Sequence, residues 1–408
     1  MKGYLATMSD TADSQSTVVW KRFKRNKLAL GGLLFIAFSV LIAITGYLVA
    51  PDESPYANRQ NPALHVLSPG TTVQFLKVRK NTDTVVTGFF EKMVFGATDN
   101  YDYLPCDSLS FSKGQLIAVY HEDGVPVIQS VYAADVLFAI NTEQPTTFEK
   151  EVYGFTLLNG ETKQLSSEQV EQTIRKNSLV KKRFVLGTDR LGRDLLSRII
   201  IGTRISLGVG LVAVVISILI GVLLGAMAGY FGGRTDAFIS WFMNVVWSIP
   251  TLLLVIAITL VLGKGITQVF IAVGLTMWVD VARLVRGQVF SLRSREFIEA
   301  GKVLGYSHSR IILRHILPNI LGPVAVMAAS NFATAILMEA GLSFLGLGAQ
   351  PPIPSWGEIT SAHHGYILMD KAYLAFLPGM AIMLLVLAFM LVGNGLRDAM
   401  DARSADTK

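Results

Sequence analysis

The stretch ISLGVGLVAVVISILIGVLLGAMAGYFGG, from Ile205 to Gly233, contains no aspartate, glutamate, lysine or arginine. A second run, Ala237–Gly263, is equally free of charge. A helix crosses the hydrocarbon core of a bilayer with about 20 apolar residues, and both runs are longer than that. The whole chain of 408 residues is 51% hydrophobic and only 16% charged, whereas ordinary globular domains are about 25% charged. These features predict an all-α polytopic membrane protein.

Six segments are long and apolar enough to cross a membrane. The first follows the basic sequence KRFKRNK and is too long for the apolar part of a cleaved signal peptide, so we interpret it as a retained anchor. The six predicted transmembrane helices are Leu28–Ala50, Ile205–Tyr230, Ala237–Leu262, Ile266–Arg286, Ile320–Leu345 and Tyr373–Leu396. The chain is thereby divided into residues 1–50 with the first helix, an insert at 51–185, and a five-helix membrane domain at 186–408.

The positions of lysine and arginine predict the orientation of these helices, because cytoplasmic loops are enriched in both residues. The cluster Lys21–Lys27 is expected in the cytoplasm, and six crossings return the C-terminus to the same side. The basic segment Arg295–Asn319 then also lies inside, whereas Gly263–Gly265 and Gly346–Lys371, with one lysine each, lie outside. We therefore attribute the net charge of +6 to topology in a lipid bilayer and expect no nucleic-acid partner.

The long segment between the first two helices predicts a small, mostly β domain outside the cytoplasm. AVYHEDGVPVIQ places an Asp-Gly pair at 123–124 between alternating apolar residues, and FTLLNGETKQL places an Asn-Gly pair at 159–160. Both patterns are typical of tight β-hairpins. Ser166 and Gln169 have the spacing of a capping box, which predicts a short helix after the second hairpin. We expect this fold over Asp52–Lys182.

The sequence carries no pattern that we interpret as a catalytic or metal site. GTDRLGRD (Gly187–Asp194) has the glycine spacing of a phosphate-binding loop, but an Arg-Asp pair stands where a lysine and a hydroxyl residue are required. The pair His363-His364 is interpreted as part of an ordinary solvated loop rather than a metal site. Cys106 is the single cysteine and is interpreted as a structural residue. We expect no enzyme activity, no cofactor and no metal.

A charged helix interrupts the apolar part of the chain at REFIEAGKVLGYSHSRIILRHILPN, Arg295–Asn319. Its amphipathic pattern predicts a short helix, and Gly305 is suited to a left-handed turn at the helix end. One apolar stripe recurs at helical spacing and consists of Phe297, Ala300, Gly301 and Leu304. The helix could rest on lipid headgroups or dock in a groove of a cytoplasmic protein. Its short length and mixed charges favour the groove.

The residues of this helix carry a resemblance to a known family. Glu299-Ala300-Gly301, followed by Gly305 and Leu317-Pro318, resembles the EAA loop of ABC importer membrane subunits, with glycine where the third position is usually alanine. Other segments are similar to the C-type permease subunit of dipeptide and oligopeptide ABC importers: WKRFKRNKLALGGL, GTDRLGRDLLSRIIIGTRISL, WVDVARLVRGQVFSLRSREFIEAG and EAGLSFLGLGAQPPIPSWGE. The resemblance covers Trp20–Leu30 and almost everything after Leu186, but not the insert.

The resemblance implies a function as well as a fold. A permease of this kind lies in the bacterial cytoplasmic membrane with both termini inside, pairs with a homologous permease subunit and forms half of a translocation path for short peptides. Two cytoplasmic ABC ATPase subunits and an extracytoplasmic substrate-binding protein are the other implied partners. The helix that docks on the ATPase subunit is implied to use Phe297, Glu299, Ala300, Gly301, Leu304 and Gly305.

A translocation path needs exposed backbone or polar groups within the membrane domain. Pro250 can bend or unwind the third crossing, and two polar residues lie close before it. The predicted path residues are Asn244, Ser248, Pro250 and Glu339. For Glu339, a peptide-facing role and a structural ion pair are both open. Asp280 and Arg283, one turn apart, are expected to form a local ion pair.

Three other functions are alternatives to this one. The same architecture could import nickel or another small solute. A membrane-anchored sensor or receptor would place its function in the outer domain, but it has little need for four further crossings and a docking helix. An intramembrane enzyme would need paired catalytic groups at one membrane depth, and the sequence offers none that we would defend.

Overall fold

The computed structural model describes residues 15–122, 124–263 and 265–401. Most of the described chain is helical, and a set of short strands follows the first long helix. The helices are α1 (Gln15–Arg25), α2 (Lys27–Val49), α3 (Phe89–Phe95), α4 (Ser167–Asn177), α5 (Leu195–Phe231), α6 (Gly233–Trp247), α7 (Thr251–Leu262), α8 (Ile266–Leu292), α9 (Glu296–Val303), α10 (His308–Ile311), α11 (Leu317–Phe344), α12 (Trp356–His363) and α13 (Tyr373–Met400).

Five helical stretches are long and apolar enough to span a membrane: α2, α5, α8, α11 with the turns preceding it, and α13. The pair α6–α7 brings the number to six if it counts as one span, which confirms the prediction of about six. The predicted crossing Ala237–Leu262 is broken, because α6 and α7 meet at an angle of 88°, and the bend predicted at Pro250 is present. Pro250 causes the break, since proline lacks a backbone N–H and disfavours helical geometry at the preceding residue.

Several spans extend beyond their predicted limits because polar residues continue the helix. The clearest case is α5, which begins at Leu195 rather than at Ile205. Asp194 caps its first turn by accepting a hydrogen bond from the backbone N–H of Ser197 at 3.0 Å. Hydropathy alone predicts a start at Ile205, because the preceding residues include polar ones. The backbone hydrogen bonds of the helix begin ten residues earlier, at Leu195.

Small residues bring α5 and α8 close together. Gly221, Gly225 and Gly229 recur every four residues along α5 and therefore share one face. A Cβ added at Gly225 would lie 2.5 Å from the carbonyl oxygen of Ala282, and one added at Gly229 would lie 2.7 Å from that of Arg286. Close backbone approach through small residues is a common way to pack helices in lipid. The glycines thus fix α8, which leads directly into the charged segment.

The insert contains three antiparallel sheets of three strands each, in the orders β2-β1-β9, β3-β4-β5 and β6-β7-β8. Its largest apolar cluster includes Leu76, Leu116 and Phe155, all fully buried. Because β1 pairs with β9, the two ends of the insert lie side by side. The strands are β1 (Thr72–Arg79), β2 (Tyr101–Pro105), β3 (Ser108–Ser112), β4 (Gln115–Glu122), β5 (Val125–Tyr132), β6 (Thr147–Glu149), β7 (Val152–Thr156), β8 (Thr162–Ser166) and β9 (Leu179–Arg183).

The local patterns in the insert correspond to the observed turns. In the first hairpin Glu122 pairs with Val125; Asp123 itself lies outside the described residues. The predicted Asn-Gly turn at 159–160 connects β7 to β8, with Gly160 at φ +85°. The capping box is present at the start of α4, where Ser166 accepts from the N–H of Gln169 and the Gln169 side chain accepts from the N–H of Ser166.

The chain divides into two compact units. The first holds the segments up to Ala43, Thr203–Ala362, and from Ala375 onward; the second holds Ile44–Gly202 and His363–Leu374. The first unit contains the long helices that follow the insert and the charged segment. The second contains the β-sheets, and the predicted domain limits at 51 and 185 stay a prediction.

Two expectations about polar residues were wrong. His363 is buried rather than solvated, and its ring nitrogen Nε2 accepts a hydrogen bond from the backbone N–H of Arg190 at 3.5 Å. Arg283 forms no ion pair with Asp280 among the described residues, because its guanidinium donates to Asn244 Oδ1 at 2.9 Å and lies over the ring of Trp247 at 4.1 Å. Sequence spacing cannot show this competition between α6 and α8.

Candidate functional site

The charged segment forms a short helix, α9, with a defined end. The backbone N–H of Tyr306 donates to the carbonyl of Gly301 at 3.0 Å, and the N–H of Gly305 donates to that of Lys302 at 3.0 Å. Gly305 has φ +75°. This pair of bonds is a Schellman motif, which satisfies the last carbonyls of the helix and turns the chain sharply. The turn predicted at Gly305 is therefore present.

The inner side of this segment is anchored in the apolar core of the membrane unit. Ile298 of α9, Ile311 of α10 and the nearby Ile316 are almost completely buried in one cluster with residues of α5, α8 and α11. A polar contact adds to the anchor, because the hydroxyl of Tyr230 lies 2.9 Å from Nδ1 of His308. Close-packed side chains transmit displacement rather than absorbing it, so a force on α9 reaches the long helices.

The outer side of α9 is an exposed apolar surface, which we call the docking face: Phe297, Ala300, Val303 and Leu304. Phe297 is 47% exposed, Val303 88% and Leu304 68%. Three acidic or basic side chains, Glu296, Glu299 and Lys302, are also exposed around this face. Large exposed apolar side chains flanked by charges are typical of a protein interaction site.

The predicted apolar stripe is divided by the structure. Three of its members, Phe297, Ala300 and Leu304, are exposed, whereas Gly301 is buried. A Cβ at Gly301 would lie 3.3 Å from Cδ2 of Tyr306, so the glycine makes room for that ring. Val303 was missed because its spacing from Phe297 does not fit the i, i+3, i+4, i+7 pattern. Ile298 and Gly301 are three residues apart and therefore share one face of α9. Both are buried, so this face is the inner side of the helix.

A second candidate site lies where α6 and α7 break. A cavity of about 100 Å³ opens beside the break and is lined by Ile249, Thr251, Asp280 and Asn331, among others. Pro250 creates the break but does not line the cavity, nor do Asn244 and Ser248. Asn244 holds Arg283, as described above, and Ser248 donates its hydroxyl hydrogen to the carbonyl of Val245 at 2.7 Å. Asn244, Ser248 and Pro250 thus lie at the break without lining the cavity, and their role in the path stays a prediction.

Glu339 lies in another network. Its Oε1 accepts hydrogen bonds from the hydroxyls of Ser343 and Ser355, each at 2.7 Å, and the residue is 1% exposed. Ser343 lies on α11 itself, and the bond from Ser355 joins α11 to the chain just before α12. The sequence left open a structural ion pair and a peptide-facing role for Glu339. The observed partners are serine hydroxyls rather than a cation, and Glu339 does not line the cavity at the break. Its role in the path stays a prediction.

One ion pair connects α6 to α8, the helix that leads into α9. The guanidinium of Arg286 donates to both carboxylate oxygens of Asp236, through Nε at 2.5 Å and Nη2 at 2.7 Å. This bidentate geometry is the strong form of the interaction. The ion pair joins the beginning of α6 to a position on α8 six residues before α8 ends. It thereby fixes the position of α6 relative to α8, the helix that precedes α9.

Comparisons with known proteins agree with the geometry. Residues 221–406 match the family described as the binding-protein-dependent transport system inner membrane component, and residues 14–69 match the N-terminal transmembrane domain of oligopeptide transport permease C. The dipeptide transport system permease protein of Alkalihalophilus pseudofirmus is 45% identical over 217 residues, which are 53% of this chain and 71% of the relative. The chain belongs to the permease family of binding-protein-dependent ABC importers.

Other permeases are equally similar. The oligopeptide transport system permease protein of Escherichia coli K12 is 46% identical over 217 residues, 53% of this chain and 72% of that protein. The glutathione transport system permease protein of E. coli O6:K15:H31 is 44% identical over 217 residues, with 53% and 71% covered. The permease family and the apolar helices agree on a multi-pass transport component of the inner membrane. The EAA resemblance of α9 stays a prediction.

Proposed function

We propose that this permease forms half of the translocation path of an ATP-driven importer of short peptides. It works with a homologous permease subunit, two cytoplasmic ABC ATPase subunits and an extracytoplasmic substrate-binding protein. The observation that carries the proposal is the docking face of α9, exposed on one side and anchored on the other. Relatives named for dipeptide, oligopeptide and glutathione transport support peptides as the cargo class.

The contacts of α9 with the membrane unit suggest how closure of the ATPase subunits is coupled to the long helices. The residues implied in docking are Phe297, Glu299, Ala300, Gly301, Leu304 and Gly305. We assign the exposed apolar members to the groove of the ATPase subunit, and Glu299 to the polar rim around it. Gly301 and Gly305 shape the helix end rather than contact the partner. When the ATPase subunits close, the displacement of α9 passes through Ile298 and Ile311 to α8 and α11.

The path is assigned to the break between α6 and α7. Non-helical backbone within a membrane is stable only where it is covered by protein or lines an aqueous cavity, and the cavity beside Pro250 provides such a place. Asp280 and Asn331 supply polar groups there. Asn244 and Ser248 act by holding the end of α6, Asn244 through its contact with Arg283. Glu339 acts as a brace between α11 and α12.

The orientation of the chain is part of the proposal. Docking on ATPase subunits requires α9 to be cytoplasmic. The basic residues before the first helix support a cytoplasmic N-terminus, and six crossings would return the C-terminus to the same side. The insert at 51–185 is then extracytoplasmic, and the domain at 186–408 spans the membrane. These assignments are expectations from charge and from the family, and they lead to a direct measurement.

Cysteine labelling tests the orientation. Cys106 is buried and fully shielded, so a Cys106→Ala background carries single new cysteines without interference. We expect Val125→Cys, at a site 64% exposed in the insert, to react with a membrane-impermeant maleimide in intact spheroplasts. Ser309→Cys, at an exposed site beside α9, should react only after the membrane is permeabilised. Labelling of Ser309→Cys in intact spheroplasts would contradict both the topology and the docking proposal.

A further inference from the structure

The insert contains a large cavity, lined by both charged and apolar residues, that the transport mechanism does not use. It measures about 600 Å³, a size typical of small-molecule sites. It lies entirely within the second compact unit, where it extends from the loop after α2 to the strands β2, β5 and β9. Most of the insert falls between the two segments that match known families, residues 14–69 and 221–406.

Several polar atoms on the cavity wall lack hydrogen-bond partners. Oδ1 of Asp194, Oε1 of Gln129 and Nε of Arg59 are buried atoms with no partner among the described residues, and all three residues line the cavity. Asp194 as a whole is only 2% exposed, and its other oxygen is already bonded to Ser197. Buried polar groups without partners cost free energy, so three of them around one cavity point to a bound partner.

A cationic group completes the wall. The ammonium of Lys182 lies over the ring of Phe184 at 5.2 Å, and no hydrogen bond or ion pair holds it among the described residues. Burial lowers the pKa of Lys182 and raises the pKa of Asp194, in each case because desolvation penalises the charged form. A ligand with charges opposite to these two groups would replace the lost hydration.

The charge of the wall selects the ligand. Four carboxylates and three cations line the cavity, and most of them already pair. Arg59 contacts Asp99 and lies 3.7 Å from Asp52, and Lys80 lies 3.5 Å from Asp102. Asp194 and Lys182 are the two lining charges that form no ion pair among the described residues. A simple anion such as phosphate would lie near the carboxylate of Asp194, and a simple cation would lie near the ammonium of Lys182. A molecule carrying both charges satisfies the two sets of groups at once.

We propose that this cavity binds a small zwitterion, a free amino acid or a short peptide, with its carboxylate at Lys182 and Arg59 and its ammonium at Asp194 and Gln129. The cavity is an accessory solute site in the insert, separate from the membrane path. It does not depend on the importer function, since binding requires no ATPase subunit and no transport.

Calorimetric titration of the purified full-length chain with trialanine tests the proposal. We expect saturable binding that Lys182→Met weakens by at least about tenfold, equivalent to ~1.4 kcal/mol. Lys181→Met is the matched control, because Lys181 is the exposed neighbour on the same strand and its side chain points to the opposite face. Acetylated trialanine amide, which lacks both charges, should not bind.

A second variant protects the test against misfolding. Gln129 belongs to β5 in another sheet, and Gln129→Leu should also weaken trialanine binding. Removal of the desolvated charge in Lys182→Met should leave thermal stability unchanged or higher.

The proposal is overturned if trialanine does not bind at millimolar concentration, or if both variants bind trialanine like the original chain. It is also overturned if the neutral derivative or phosphate binds as well as trialanine does. A loss of uptake with normal trialanine binding would count against the importer function alone.

Discussion

Replacement of Gly305 by valine should abolish peptide uptake while the permease still inserts into the membrane. Gly305 ends α9 at φ +75°, a conformation that is costly for β-branched residues. A Cβ at this position would meet no atom within 4 Å, so the substitution introduces backbone strain and no collision. That strain is about 1–3 kcal/mol, and its relief would break the bond from the Tyr306 N–H to the Gly301 carbonyl.

The measurement is uptake of labelled trialanine into proteoliposomes that contain the complete complex. We expect a reduction of at least about tenfold, since ~1.4 kcal/mol in the coupled state corresponds to a factor of ten. Gly305→Asn is the matched control, because asparagine tolerates the left-handed region and should retain most of the uptake. Wild-type uptake by the valine variant, at equal amounts in the membrane, would exclude a coupling role for this turn.

Replacement of Leu304 by aspartate should release the ATPase subunits. Leu304 is 68% exposed in the isolated chain and belongs to the docking face. In the complex, a carboxylate at this position would be buried in an apolar groove without a partner, which is strongly unfavourable. We expect at least about tenfold less ATPase to co-purify, because a central interface residue contributes about 2 kcal/mol or more.

Leu368→Asp provides the control for that experiment. Leu368 is an even more exposed leucine, at 93%, and lies in the short 3-10 helix after α12, far along the chain from α9. The same substitution there should leave the ATPase subunits bound. Equal co-purification with Leu304→Asp and with the unchanged chain would show that the docking face lies elsewhere.

The parts of the fold that depend on composition and short-range pattern could be predicted from the sequence. Apolar length identifies the spanning helices, because a bilayer imposes a minimum length. The hairpin turn at 159–160 and the capping box at Ser166 follow from local backbone chemistry. Gly305 belongs to the same class, since its position after an amphipathic stretch is the usual place of a helix end.

The parts that depend on competition between distant residues could not be predicted. Arg283 has an acidic neighbour one turn away on α8, yet it bonds to Asn244 on α6. The presence of Pro250 indicated a break, but its angle of 88° is set by packing. On α9, periodicity grouped Gly301 with the exposed residues, whereas the ring of Tyr306 needs the space beside it. Periodicity also excluded Val303, which lies six residues after Phe297 and is exposed.

The central claim is that this chain is the permease of an ATP-driven peptide importer, and uptake by the reconstituted complex tests it most directly. The complex would contain the partner permease, both ATPase subunits and the loaded binding protein, with labelled trialanine or Ni²⁺ supplied outside. We predict that trialanine accumulates inside the vesicles only when ATP is present, and that Ni²⁺ does not accumulate. Accumulation of Ni²⁺ instead of trialanine, or trialanine entry that is independent of ATP, would contradict the claim.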